Sequence, residues 1–271
     1  MQEITVAEFN RIRDYIKQNY GITLNDEKRS LVYSRLRSTL MENGFANFTD
    51  YFDDLLKDRS GDSIVRFVDK ITTNHTFFMR ESDHFDYFRD NVLPFIADAY
   101  GGQKDLRLWC AGCSSGEEAV TLQIIVQDFF KKRNESWDTQ MLATDISTTV
   151  LDKAVYRHYA NDALSTVPGH WLKEYFSPAD SQFMQIAPHV RRNIIYRKFN
   201  FMHSFPFRKR FHTIFCRNVM IYFDAPTRDA LVRKFYEATE PGGYLFIGHS
   251  ESLNHTGTAF KYVKPAIYRK E

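Results

Sequence analysis

Leu106-Arg107-Leu108-Trp109-Cys110 is a short apolar run that leads into Ala111-Gly112-Cys113-Ser114-Ser115-Gly116-Glu117-Glu118 and then into a helical pattern carrying Ile124, Ile125 and Phe129. A strand that enters a helix through a glycine-bearing loop is the opening unit of an open, mostly parallel sheet. The unit recurs downstream. Residues 140–144 form a second apolar run closed by Asp145, followed by a helix with Val150, Leu151, Ala154 and Val155. Residues 211–215 read as a strand and 226–240 as a helix, after which Pro241-Gly242-Gly243 turns the chain into a strand over 244–248. Residues 260–263 and 267–268 flank Lys264-Pro265 like a terminal hairpin.

In such sheets ligands lie beyond the carboxyl ends of the strands, which is where Gly112 and Gly116 fall. The loop lacks the full dinucleotide fingerprint and the Lys-Ser/Thr of a phosphate loop. Glu117 and Glu118 at the helix start would repel a phosphate and attract a cation. Asp145 closes the second strand where ribose-binding carboxylates lie in these folds. A ligand with a ribose, an ammonium group and no phosphate fits this pattern, and S-adenosylmethionine is such a molecule. An ordinary first-turn helix acid is the plain alternative for Glu118.

Other letters invite competing chemistry. Trp109-Cys110-Ala111-Gly112-Cys113 has the spacing of a redox dithiol, but such a helix should open at the first Cys, whereas this loop continues into glycine and acids. Zinc is poorly served, since Cys216 is the only other cysteine and no paired His accompanies it, so no metal is expected. His249-Ser250-Glu251 has triad-like letters, yet adjacent residues cannot orient on one another, and a loop role fits better.

The chain before Gly102 lacks strand alternation. Thr5-Val6-Ala7-Glu8 fits a capping box ahead of Phe9, Ile12, Ile16 and Tyr20, with Gly21 as the stop. Helices are expected from Asn25-Asp26, from Asn47, and over Ile64, Phe67, Val68 and Ile71, giving a small helical domain over residues 1–72. A connector rich in short polar and bulky residues, 71–81, leads to a helix that Ser82 would cap and Gly101-Gly102 would end. Gly and Pro together number 20, against about 32 at average usage, as suits a helix-rich chain with short connections. Three cysteines argue against a disulfide-stapled secreted scaffold. With neither a signal-like N-terminus nor an apolar run near ~18 residues, a soluble cytoplasmic protein is expected.

The net charge of +2 conceals a separation: residues 181–223 hold no Asp or Glu and carry +8, leaving −6 for the remainder. Lys28, Arg29, Arg35 and Arg37 lie within ten residues that hold no acid. They read either as a solvated helix face or as a docking surface for something acidic.

Four motifs in series carry a resemblance to a known family: residues 72–81, Thr-Thr-Asn-His-Thr-Phe-Phe-Met-Arg-Glu; Ser114-Ser115-Gly116-Glu117-Glu118; residues 215–223, Phe-Cys-Arg-Asn-Val-Met-Ile-Tyr-Phe; and Gly248-His249-Ser250-Glu251. In order and spacing the chain, from about residue 10 onward, resembles the chemotaxis-receptor glutamate methyltransferases, the CheR family. The resemblance implies an α/β fold: a Rossmann-like class I SAM-dependent methyltransferase domain over 103–271 with a small inserted antiparallel β-subdomain. That insertion would fall near 180–198, where 183–187 and 194–197 have strand character. An all-helical N-terminal domain precedes it, joined by residues 73–102, which would cross the cofactor pocket. Pro often follows the two acids in the family, where this chain has Ala119-Val120.

The resemblance further implies a reaction, methyl transfer from S-adenosylmethionine to receptor glutamate carboxylates, leaving S-adenosylhomocysteine. Cofactor contacts would come from Asn74, Thr76, Arg80, Gly112, Glu118, Asp145, Asn200, Phe201, Arg217 and Asn218. Arg80 would orient the acceptor carboxylate, and Tyr222 would hydrogen-bond it or face the sulfonium. The partners would be cytoplasmic domains of membrane chemoreceptors, met by a monomer without membrane insertion or nucleic acid. Lys28, Arg29, Arg35, Arg37 and the basic 181–223 stretch would steer the acidic helices. Some family members bind a receptor C-terminal pentapeptide through a glycine-bearing loop of the β-subdomain. The stretch Ser177-Pro178-Ala179-Asp180-Ser181-Gln182 is short and has no glycine, so a pentapeptide-independent enzyme is expected. An adenine N6 methyltransferase is the competing enzyme, since Asn218-Val219-Met220-Ile221-Tyr222 is faintly like its Asn-Pro-Pro-Tyr motif but lacks the prolines. A non-catalytic cofactor-binding adaptor is the third class.

Overall fold

The computed structural model describes residues 3–72, 74–156, 158–254 and 257–271; Thr73, which opens the expected connector, lies outside them. Four helices come first: α1 (Val6–Tyr20), α2 (Arg29–Glu42), α3 (Phe48–Lys57) and α4 (Asp62–Ile71). The α1 capping box forms as read, with the Thr5 hydroxyl accepting the Glu8 amide and Glu8 answering the Thr5 amide. Gly21 ends α1 at φ 73° and is pressed so closely to Met202 that a Cβ there would lie 2.7 Å from its Sδ. The four helices bury Phe9, Ile16, Leu36, Leu40, Phe52 and Phe67 in a core of their own.

Beyond the connector, α5 (Ser82–Tyr87) and α6 (Leu93–Ala99) are joined by a π-helical segment, Phe88–Val92. Pro94 has no N–H to give Asp90, so the widened segment absorbs the missing bond. Ser82 is not the cap that the sequence suggested. Glu81 holds that position at φ 55° and its side chain is engaged elsewhere.

The second domain contains β1 (Leu108–Ala111), α7 (Glu117–Lys132), β2 (Met141–Asp145), α8 (Thr148–Tyr156), β3 (His158–Ala160), α9 (Gly169–Tyr175), β4 (Phe176–Pro178), β5 (Phe183–Ile186), α10 (Pro188–Arg191) and β6 (Ile194–Lys198). It then continues through β7 (Phe211–Cys216), α11 (Ala225–Ala238), β8 (Thr239–Ile247), β9 (Lys261–Lys264) and β10 (Ile267–Arg269). Seven strands form one sheet in the order β6-β2-β1-β7-β8-β10-β9. The first five are parallel, and β10 and β9 form the antiparallel terminal hairpin.

The inserted subdomain differs from the expected 180–198. Its strands are β3, β5 and β4, in that order, so it begins near residue 158 and ends at 186. Residues 194–198 belong instead to the main sheet, where Ile194 and Tyr196 are buried and pair in parallel with Met141 and Ala143. A run with both strand propensity and a buried alternating face pairs wherever that face is covered.

The basic segment does not form one surface. Arg191 and Arg192 precede β6, and Arg208, Lys209 and Arg210 precede β7, so all five lie toward the amino ends of parallel strands. Lys198 is paired with Asp62 at 2.6 Å, and Arg217 is buried. Arg35 is also committed: its Nη1 donates to the carbonyls of Ile71 and Thr72, both at 2.9 Å, and so finishes the carboxyl end of α4. Arg29 and Arg37 are exposed and Lys28 half-buried.

Candidate active site

A cleft opens at the carboxyl ends of β1, β2, β6 and β7, roofed by the helical domain and crossed by the connector. Asn74, Thr76, Arg80, Gly112, Glu118, Asp145, Asn200, Phe201, Arg217, Asn218 and Tyr222 all line it. The helical domain contributes Tyr20, Ile22, Val68, Asp69 and Thr72.

The glycine loop is fixed by the neighbouring strand. Gly112 and Cys113 donate their amides to the Thr144 carbonyl at 2.7 and 2.9 Å, and Ser114 donates its amide to Asp145 Oδ2 at 2.8 Å. Gly112 stands at φ 87° with no room for a Cβ, which would fall 2.4 Å from Val219 Cγ2. The second oxygen of Asp145 takes the Ser147 amide at 3.0 Å. The Ser147 hydroxyl in turn donates to Asp69 Oδ2 at 2.5 Å, joining α4 to the end of β2. Burial pushes the carboxyls of both Asp145 and Asp69 above their usual range, against the hydrogen bonds that hold them charged.

Arg217 organises the opposite wall. Its Nη1 donates to Glu118 Oε2 at 2.7 Å and its Nη2 to Glu81 Oε2 at 3.0 Å, while its guanidinium lies 5.1 Å from the Phe85 ring. The Arg80 carbonyl is a further acceptor of Nη2. The Asn218 amide nitrogen donates to Glu81 Oε1 at 3.1 Å. Burial opposes the charge on Glu81, but Arg217 and Asn218 outweigh it and hold the carboxyl below its usual range.

Beneath this wall, Glu251 accepts backbone amides from Gly248 at 2.6 Å, Asn218 at 3.0 Å and Ile221 at 3.1 Å. That buried carboxylate sets the turn on which Asn218 takes φ 58°. In the sequence Glu251 reads as a loop residue and Glu81 as a motif letter without a role, and Asp69, which reaches the cleft from a distant helix, carries no local signal. Asn200 donates its side-chain amide to the Asn19 carbonyl at 2.8 Å, and Phe201 packs against Trp109. Tyr222 accepts the Thr23 amide on its carbonyl at 2.8 Å.

The cysteines are not a redox pair. Cys110, Cys113 and Cys216 are all buried as thiols, and burial pushes each well above its ordinary range. Cys110 donates to Glu118 Oε1 at 3.2 Å.

The lining suits a nucleoside with a cationic tail. Ile146, Phe199 and Phe201 give an apolar slot beside Asp145, and the lining acids Asp69, Asp145 and Glu118 outnumber Arg80 and Arg217. A pyrophosphate would meet that excess of negative charge unfavourably. Comparison with known proteins agrees with this chemistry. Residues 7–72 match the family model described as the all-alpha domain of CheR methyltransferases, and residues 74–268 the one described as their SAM binding domain. The chain belongs to the CheR methyltransferase family. The chemotaxis protein methyltransferase of Borreliella burgdorferi is 37% identical over 270 residues, covering 98% of this chain and 95% of that one. The one from Escherichia coli is 32% identical over 267 residues, covering 97% and 90%. As a CheR-family chain it is a SAM-dependent methyltransferase of chemotaxis. The break between the two family models falls at the connector that crosses the cleft.

Proposed function

We propose that this CheR-family chain methylates glutamate side chains on the cytoplasmic helices of membrane chemoreceptors, acting as a cytoplasmic monomer. The products are glutamate methyl esters and S-adenosylhomocysteine. One observation carries the choice of a carboxylate acceptor. Of the two arginines lining the cleft, Arg217 is committed to Glu118 and Glu81. Arg80 donates to the His75 carbonyl at 2.7 Å and enters no ion pair among the described residues. A guanidinium not already matched to an acid can receive one from a substrate by a forked hydrogen bond.

Bound S-adenosylmethionine supplies an electrophilic methyl on a sulfonium, and a C–O bond forms as the C–S bond breaks. A glutamate carboxyl with a pKa near ~4.3 is already ionised at neutral pH, so the site needs no general base. The work left to the chain is to strip water from the carboxylate and hold it in line, roughly 3–3.5 Å from the methyl carbon. Arg80 orients the acceptor and Tyr222 lies on the same rim. Asn74, Thr76, Gly112, Glu118, Asp145, Asn200, Phe201 and Asn218 hold the cofactor, with Arg217 fixing Glu118.

For docking, Lys28 just before α2 and Arg29 and Arg37 on it present positive charge, and Phe77 adds exposed apolar surface at the cleft. The turn from β4 to β5 is tight, with the amides of Ala179 and Asp180 both directed to the Phe183 carbonyl. Such a turn supports direct reading of the methylation helices without a C-terminal tether, and calorimetry with a receptor C-terminal peptide should show no micromolar binding. The deciding experiment incubates the chain with methyl-labelled cofactor and receptor cytoplasmic fragments. Label released as methanol by mild base supports the carboxyl ester. Base-stable label, or label in DNA, overturns it in favour of an adenine methyltransferase.

A further inference from the structure

We propose that Glu81, His84 and His249 form a binding site for a divalent transition metal of the Zn2+ class, behind the wall that Arg217 organises. Glu81 and His84 lie one helical turn apart at the start of α5, and His249 follows β8. One potential ligand atom from each lies within 4.8 Å of the others. Glu81 Oε2 and His84 Nδ1 are 3.6 Å apart, close to the roughly 3.3–3.5 Å expected between neighbouring ligands of a tetrahedral ion bound at 2.0–2.1 Å. The His84 and His249 rings meet edge to face with centroids 4.6 Å apart. His249 is half exposed, which leaves its ring reachable by an ion from solvent.

The independent observation is the state of His84. Its side chain is 0% exposed, and neither ring nitrogen has a hydrogen-bond partner. Buried polar groups are nearly always satisfied, and an orphan costs about 1–3 kcal/mol. A metal ion would take up the Nδ1 lone pair and remove that cost at one of the two ring nitrogens. Asp83 Oδ1, 3.1 Å from His249 Nε2, adds the carboxylate that commonly accompanies a ligating histidine. Two imidazoles and one carboxylate leave a fourth position for water and suit Zn2+, Co2+ or Ni2+ better than Mg2+ or Ca2+. Glu81 is also the partner of Arg217 and Asn218, so the ion would touch the same carboxylate that braces the cofactor cleft.

The test uses the full, tag-free chain, stripped with a chelator and titrated with Co2+ while visible absorption is followed. One Co2+ per chain with four-coordinate spectral bands, displaced by one equivalent of Zn2+, is the expected result. His249→Ala, at an exposed position, should weaken Zn2+ binding at least tenfold while the circular dichroism spectrum is unchanged. Absence of a saturable Co2+ spectrum, or undiminished affinity in folded His249→Ala, overturns the site.

Discussion

Arg217 Nη1 sits 2.7 Å from Glu118 Oε2 with only 2% of the arginine side chain exposed. The pair is therefore a buried ion bridge between the end of β7 and the start of α7. Removing one partner leaves the other charged and desolvated, a change that costs about 3–5 kcal/mol. Arg217→Ala should accordingly lower the urea midpoint strongly and abolish cofactor binding, and Glu118→Gln should be milder in stability than Arg217→Ala. Urea unfolding followed by tryptophan fluorescence, beside calorimetry with S-adenosylhomocysteine, checks both.

Arg80 makes no comparable pair, and its alanine variant should keep the fold. We expect Arg80→Ala to lose nearly all methyl transfer to receptor fragments while thermal stability changes little. More than a tenth of wild-type turnover in single-turnover assays would remove Arg80 from its role as the acceptor's orienting group.

Gly112 is constrained twice, by its positive φ and by Val219. Gly112→Ala should push Val219 out of the cleft wall and weaken S-adenosylhomocysteine binding at least tenfold. Adding Val219→Ala relieves the clash but not the backbone strain, so only part of the affinity should return. Full recovery would show that the conformation at Gly112 is unimportant.

Asp145 and Asp69 have carboxyls raised by burial, which fixes the sign of their pH dependence. Between the ordinary carboxyl pKa of about 4 and the raised folded value, the folded chain binds protons that the unfolded chain does not. Their contribution to stability is therefore greatest below the ordinary value and declines as pH rises through the raised one. Cofactor affinity should move the other way, falling as mild acid neutralises them. Calorimetric affinity should fall from neutral to mildly acidic pH, and Asp145→Asn should flatten that profile. The stability difference between wild type and Asp145→Asn in urea should change with pH in the direction opposite to affinity.

Asp224 behaves oppositely. Lys17, together with the Thr227 hydrogen bonds, holds its carboxyl down to about 2. The stability it contributes is present above the ordinary pKa and lost as pH falls toward 2. It is partly exposed and also caps α11, so Asp224→Ala should cost about 1 kcal/mol at neutral pH, the ion pair itself adding little through solvent screening. Equal stability of mutant and wild type at neutral pH would contradict the cap.

The α1 helix, the parallel sheet and the cleft residues were legible because each depends on local pattern or on motif order. Thr5 and Glu8 cap their own helix, and Gly112 sits directly after its strand. What the sequence concealed depends on partners far along the chain. Residues 194–198 look like subdomain strand until β2 is seen beside them. Arg35 and Arg217 look like free cations until the α4 carbonyls and Glu81 and Glu118 are placed around them. Asp69 follows an ordinary helical pattern and has no local sign of reaching Ser147. Glu251 could have been singled out as an acid just beyond a strand end, but its three amide partners come from two separate loops.

The helical roof over the cleft has a consequence for inheritance. Tyr20, Ile22, Val68 and Asp69 complete a wall whose other half is encoded more than a hundred residues later, at Phe199, Asn200 and Tyr222. The two halves meet through Gly21 against Met202, Asn19 against Asn200 and Asp62 against Lys198. A chimera that takes its first domain from one relative and its second from another would thus be asked to match a seam inside its own binding pocket. The two domains are separable as folding patterns, but as a unit of recombination they are one.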